Sequence, residues 1–128
     1  MLVGEVLHAK GHDKARTIGP DVTVGEFVDM LMDQHIGAVA VCDAGGGIIG
    51  MISERDIVRG ISEIGAGIAD IQVRDLMTAD VIACNSNDSL ESIREMMIEG
   101  RFRHMPVISE GELIGMVSMR DIVIHMKS

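Results

Sequence analysis

Tryptophan and tyrosine are absent from this chain of 128 residues, and phenylalanine occurs only twice. A core of stacked rings is therefore excluded, and the interior must be Ile, Val, Leu and Met. Basic residues are scarce as well: 11 Lys and Arg stand against 20 Asp and Glu, for a formal net charge of −9. That balance argues against nucleic acid or an anionic membrane as the main partner, since both need a basic footprint. It leaves room for a small anion. At physiological salt the Debye length is about 8 Å, so nearby arginines outweigh distant carboxylates. Only two cysteines occur, Cys42 and Cys84, and they form no Cys-x-x-Cys. A disulfide framework is thus not expected, which fits a reducing cytoplasm. No apolar run approaches about 18 residues, and the opening residues lack the apolar h-region of a signal peptide. The expectation is a cytoplasmic chain without a membrane span.

What the chain does contain, it contains twice. Residues 50–58 read GMISERDIV and residues 115–123 read GMVSMRDIV, identical at seven of nine positions. Asp56 and Asp121 lie 65 residues apart, about half the chain. A unit this long present only twice suggests two halves about a pseudo-two-fold axis, not a solenoid, which needs roughly three or more units. A half of about 60 residues buries only roughly 60% of its unfolded surface, so the halves are expected to share one core. Eleven methionines suit such packing, because Met fills irregular gaps.

The periodicity predicts the same order of elements in each half. Val3, Val6 and Leu7 have helical spacing, with Gly11 as a stop; residues 73–77 are the counterpart. A short strand is expected over 15–18, matched by 81–84. Thr23 and Glu26 form a capping box, opening a helix over about 24–35 with Val24, Phe27, Val28, Leu31 and Met32 on one face. Its equivalent opens at Asp88 and Ser89, carries Leu90, Ile93, Met96 and Met97, and ends near Gly100. Strands over 37–42 and 48–52 flank a glycine-rich hairpin loop; 103–108 and 113–117 are their copies. Helices start at Ser53, carrying Ile57, Val58 and Ile61, and at Ser118, carrying Ile122, Val123 and Met126. Residues 59–72 join the halves, and Ile61, Ile64, Ile68 and Ile71 suggest that the join packs.

The repeated Ser-x-Arg-Asp has two readings. One is a helix cap, with Ser at N-cap and Asp at N3. The other is a ligand site. A helix N-terminus suits phosphate, serine and arginine add hydrogen bonds, and a carboxylate can accept both hydroxyls of a ribose diol. The preceding glycine would let a ligand approach the backbone. Occurrence at matching places in both halves favours the ligand reading.

These residues resemble a tandem pair of CBS motifs, the Bateman module, over about 3–126. The family pattern is Gly, an apolar residue, any residue, Ser or Thr, two more, then Asp. Gly50, Met51, Ser53 and Asp56 fit it, as do Gly115, Met116, Ser118 and Asp121. Residues 73–78 resemble the family's motif opening, and residues 100–107 its second-strand signature. The resemblance implies an α/β (α+β) fold: two β-α-β-β-α motifs packed as a pseudo-two-fold pair, each with a small three-stranded sheet. The motifs would be 3–62 and 73–126, joined by 63–72 in a single module over 1–128. It also implies two clefts between the motifs that take AMP, ADP, ATP, NAD or S-adenosylmethionine.

Carried over by position, Asp56 and Asp121 would hold ribose hydroxyls. Ser53, Ser118, Arg55 and Arg120 would meet ribose or phosphate. Arg16, Thr17, Ile82 and Ala83 would line the base. Ala38, His104, Met105 and Pro106 would close the pocket. Where the first copy has Gly37 and Ala38 the second has Arg103 and His104, so the second cleft is the more basic. Ala83 stands where the first copy has Thr17, which removes one base-edge hydrogen bond.

Other groups carry less. His8 and His12 have helical metal-ligand spacing, with Asp13 next, but a closed site needs about four ligands and no remote one is evident. His35 suits a helix end. Cys42 and Cys84 read as small core residues. Met96 and Met97 read as core or dimer contact. Arg101, Arg103 and His104 are either an exposed cluster or a phosphate clamp. No nucleophile stands beside an oriented base, so the expected function is a non-catalytic sensor of adenosine nucleotides. The resemblance further implies a disc-like homodimer and a partner enzyme or transporter, as related motifs sit in inosine monophosphate dehydrogenase and in channels. The alternatives are a ligand-independent scaffold and an enzyme that hydrolyses its bound nucleotide.

Overall fold

Polar residues at the predicted caps do begin helices, and left-handed residues end two of them. The computed structural model describes residues 1–11 and 16–126. In chain order the elements are α1 (Val3–Lys10), β1 (Thr17–Ile18), α2 (Val24–Gln34), β2 (Ala38–Cys42), β3 (Ile48–Ser53) and α3 (Glu54–Glu63). A 3-10 segment (Gly65–Asp70) leads to α4 (Val73–Leu76), β4 (Cys84–Asn85), α5 (Leu90–Gly100), β5 (His104–Ser109), β6 (Glu112–Ser118) and α6 (Met119–His125). Glu26 N–H donates to Thr23 Oγ1 at 3.2 Å, and Thr23 N–H to Glu26 Oε2 at 3.4 Å, closing the box at the head of α2. Ser89 caps α5 by accepting from Ser92 N–H at 3.1 Å. Both helices stop at a non-glycine residue in the left-handed region: His35 (φ 53°) after α2 and Arg101 (φ 58°) after α5. Gly11 (φ 70°) stops α1 as the sequence predicts.

The chain forms two compact units. One is Arg16–Val81; the other draws on residues 1–11 and 82–126 among those described. Each has one three-stranded sheet, β1-β2-β3 or β4-β5-β6. The first pair in each sheet is parallel (Thr17 with Ala40, Cys84 with Val107) and the second antiparallel (Ala38 with Ser53, His104 with Ser118). A register shift interrupts both antiparallel ladders at the same place, after Val41 and after Val107. The expected fold class, two motifs each with a small three-stranded sheet and helices, is therefore observed.

The single shared core is not. Val24, Phe27, Leu31, Val39, Val41, Ile52, Val73 and Leu76 form one cluster. Val3, Val6, Leu7, Leu90, Ile93, Met97, Met105, Val107, Val117 and Ile122, with Cys84, form another. Each unit closes its own core because a short helix covers it. α4 supplies Val73 and Leu76 to the first, and α1 supplies Val3, Val6 and Leu7 to the second.

Matching backbone hydrogen bonds dock the two short helices. Val73 N–H donates to Val22 O at 2.8 Å and Arg74 N–H to Pro20 O at 3.0 Å, while Val24 N–H donates to Ile71 O at 2.9 Å. In the other unit Val3 N–H donates to Asp88 O at 2.9 Å and Gly4 N–H to Ser86 O at 2.8 Å, while Leu90 N–H donates to Met1 O at 3.1 Å. These fill N–H groups that a helix start leaves without internal partners.

Some boundaries differ from expectation. β4 begins at Cys84, not at residue 81, because Val81 N–H is used in a local turn with Ala79 O at 3.0 Å. Met32 is exposed, since at about 100° per residue it has rotated off the face that Val24, Phe27 and Leu31 bury. Val58, Ile61 and Ile64 are exposed too, as are Val123 and Met126. The packed face of α3 is Asp56, Ile57 and Gly60 instead, and Ile68 and Ile71 of the connecting segment pack beside them on the core.

Candidate functional site

Strand direction gathers the nominated residues. In a parallel pair both strands start at the same end, and an antiparallel third strand finishes there. In the first unit that end holds the start of β1 (Arg16, Thr17), the start of β2 (Ala38), the end of β3 (Ser53) and the head of α3 (Arg55, Asp56). In the second it holds Ile82 and Ala83 before β4, Arg103 and His104 at β5, Ser118 at the end of β6, and Arg120 and Asp121 on α6. Ala38 lies opposite Ser53 and His104 opposite Ser118. Gly37 O accepts from Glu54 N–H at 3.0 Å, and Arg103 O from Met119 N–H at 2.8 Å, fixing each helix start to the neighbouring strand. Arg16, Thr17, Arg55, Arg103 and Arg120 are exposed, and Ile82 is half-exposed. Met105 is fully buried in the second core, so its side chain is committed to packing, and Pro106 is buried beside it.

The two aspartates are both caps, as the plainer reading of the motif predicts, and each also holds a cation. Asp121 Oδ2 accepts from Ser118 N–H at 2.9 Å, and Asp121 N–H donates to Ser118 Oγ at 3.1 Å. The same Oδ2 accepts from Lys10 Nζ at 2.8 Å, and that ammonium also donates to Met116 O at 3.1 Å. Burial alone would raise the Asp121 pKa, but the Lys10 and Ser118 hydrogen bonds outweigh it and hold the carboxyl below its ordinary value.

Asp56 is bound differently. Its Oδ2 accepts from Ser53 N–H at 2.9 Å and Ser53 Oγ–H at 3.3 Å. Its Oδ1 accepts from Arg59 Nη2 at 3.0 Å and Thr78 Oγ–H at 3.2 Å. Arg59 donates onward to Leu76 O at 2.9 Å. Thr78 is pinned against β3 by two backbone bonds with Met51, at 2.9 and 2.8 Å. Thus the first copy takes its cation from its own helix and the second from α1. In the repeat Arg59 corresponds to Ile124 and Thr78 to His8, so neither Asp56 partner is duplicated.

Sequence reasoning nominated the aspartates but missed Lys10, Arg59 and Thr78. Arg59 carried a signal: three residues after Asp56 on a helix is salt-bridge spacing. Lys10 carried only the weak one of a basic residue in a last helical turn. The glycines before each motif also serve another purpose. A Cβ at Gly50 would lie 2.6 Å from Met77 Sδ and 2.9 Å from Thr78 O, and one at Gly115 would lie 2.9 Å from Leu7 Cδ2. The space over these two glycines is taken by Met77 and Thr78, just after α4, and by Leu7 of α1.

Cys84 is buried, and burial, with Asp88 nearby, pushes its thiol up to about 12; burial also raises Cys42. Among the described residues no group of three or more His, Cys, Asp or Glu could hold a metal, and His12 and Asp13 lie outside them. Among them, too, no helix is long and apolar enough to cross a membrane.

The sequence profile described as CBS domain matches residues 3–63 and 73–128. A CBS-domain containing protein of Agrobacterium tumefaciens has a solved structure similar to this one at TM-score 0.94 and 38% identity, over 99% of this chain and 100% of that one. An uncharacterized 17.7 kDa protein of Acidianus ambivalens is 33% identical over 110 residues, 85% of this chain; the chain spans 65% of that protein's length. The CBS domain pair of protein MJ0100, solved in complex with 5′-methylthioadenosine and S-adenosyl-L-methionine, shares the fold at TM-score 0.85 and 19% identity, over 98% of this chain and 94% of that one.

Proposed function

The chain belongs to the CBS domain family, and from that premise we propose that it is a non-catalytic, cytoplasmic sensor that binds an adenosine-type ligand and passes its bound state to a partner. CBS-domain pairs are in general regulatory modules. One observation carries the ligand reading. In both units a strand-to-helix junction sets an aspartate one turn inside a helix, beside an exposed arginine. An ionised carboxylate accepts ribose hydroxyls, and the arginine with the helix N-terminus suits a phosphate or another polar substituent. The methylthioadenosine and S-adenosylmethionine in the MJ0100 pair support the adenosine class. AMP, ADP, ATP, NAD and S-adenosylmethionine are the candidates within it. Such a ligand acts on a partner only through unequal affinity for two states of the module.

Calorimetry with AMP, ATP, NAD and S-adenosylmethionine tests this. Saturable binding of at least one is expected, and saturable binding of none overturns the ligand reading.

A second reading, a scaffold that docks without ligand, is favoured by Val58, Ile61 and Ile64 on and just after α3 and Val123, Ile124 and Met126 on and just after α6, all exposed. Apolar rows of this kind suit a homodimer or a partner enzyme or transporter. Pull-down with and without nucleotide separates the readings: recovery of the same partner irrespective of nucleotide and of Asp121→Ala favours the scaffold.

A further inference from the structure

The two aspartates of the repeat are equal in sequence and unequal in occupation. Asp56 meets four donors spread over both carboxylate oxygens: Ser53 N–H and Oγ–H on one, Arg59 and Thr78 on the other. These donors tie α3 to segments distant in sequence. Thr78 lies 22 residues from Asp56, and Arg59 reaches Leu76 O across 17 residues. The carboxylate is thereby the centre of a network that stitches α3 to α4 and to the edge of β3 through Thr78 and Met51. Among the described residues, Asp121 is held from one side only. Ser118 and Lys10 both bond to Oδ2, and no described residue bonds to Oδ1. Its side chain is 14% exposed and Lys10's 24%. The amide and the ammonium fix the carboxylate's rotation and leave its second oxygen for another donor. To offer a diol the same face, Asp56 would have to break its bonds to Arg59 and Thr78, losing charge-assisted hydrogen bonds in a partly buried place.

We infer that the repeat has divided its labour: Asp56 is an internal latch, and the module takes one adenosine-type ligand, at the Asp121 junction, with Lys10 as the positioning residue for that carboxylate. This rests on the adenosine reading above for its ligand half; the latch half does not. The ribose diol is the recognised group, donating to Asp121 Oδ1. Lys10 acts through Asp121: it sets the carboxylate's rotamer and keeps it ionised. Arg103, His104 and Ser118 lie at the same end of the β4-β5-β6 sheet, and His104 stands opposite Ser118 where the first unit has Ala38 opposite Ser53.

The experiment is calorimetry of the full chain with AMP, ATP, NAD and S-adenosylmethionine, paired with thermal melts. The expected stoichiometry is one ligand per chain. Asp121→Asn weakens binding roughly ten- to a hundredfold, the cost of a hydrogen bond to a charged group. Thr78→Val lowers the melting temperature by several degrees and leaves Kd within about threefold. Lys10→Met weakens binding, whereas Lys10→Arg restores part of it, a rescue that simple loss of packing would not give. Two ligands per chain overturn the inference, and so does loss of binding in Asp56→Asn with retention in Asp121→Asn. If none of the four probes binds, the adenosine reading fails, and the latch is judged on the double variant Asp56→Asn with Thr78→Val. Melting losses smaller than the sum of the single variants support it, and additive losses overturn it.

Discussion

Asp121 sits where burial and a hydrogen-bonding cation compete, and the cation prevails. Its folded pKa lies below its ordinary value. The stability it contributes is therefore present above the unfolded pKa and is lost as pH falls through the folded one. Lys10→Met removes the cation and leaves burial, which raises the pKa. Acid unfolding of that variant, followed by circular dichroism, is expected to begin at higher pH than in the parent. At neutral pH the variant is expected to lose about 1–3 kcal/mol in a urea melt, since a partly buried carboxylate loses a charged partner. Arg59 and Asp56 warrant a smaller figure for their ion pair alone, because the arginine side chain is 47% exposed and screened. Arg74 and Asp21 also pair, with both side chains well exposed, and contribute little for the same reason.

At the scale of elements, the short helices α1 and α4 decide most of the architecture, and glycine in the facing strand is what lets them in. The two glycines differ in what they face. Gly50 meets a backbone oxygen and a sulfur of the α4 segment, whereas Gly115 meets the end of a leucine side chain that can turn aside. Gly50→Ala is therefore expected to cost about 1–3 kcal/mol, and Gly115→Ala less, in urea melts of the two variants. Much of this level was legible in the sequence. Thr23 with Glu26 announced α2, Ser89 announced α5, and the duplicated GMxSxRD placed both strand-to-helix junctions within a residue. The destinations of α1 and α4 were not legible. Lys10 meets Asp121 across 111 residues, and no periodicity within residues 3–10 encodes that. The exposed side of α3 was misjudged for a related reason. A buried aspartate and a glycine occupy the inner face, and a hydrophobic pattern does not count either as core. The candidate site was legible as a motif, through Ser53, Asp56, Ser118 and Asp121. Its inequality was not, because Arg59 and Thr78 act from outside the repeated nine residues.

For the whole molecule, two cores replace the one that chain length suggested. The first is built from residues within 18–77, and the second needs α1. Removing residues 1–10 takes Val3, Val6 and Leu7 out of the second core and Lys10 away from Asp121. Hydrogen exchange of the shortened chain is expected to show protection retained over β1–β3 and α2 and lost over β4–β6 and α5. Uniform loss over both sheets would show that the first core cannot stand by itself.

That dependence of one unit on α1 has a consequence during synthesis. α1 leaves the ribosome before the strands it covers, which run from Cys84 to Ser118. While the Arg16–Val81 unit has all its parts in hand early, the opening helix must wait with its valines and leucine uncovered until the last strand has left the ribosome. At about 5–20 residues per second that interval is several seconds, long enough for a chaperone or a neighbouring nascent chain to reach it first.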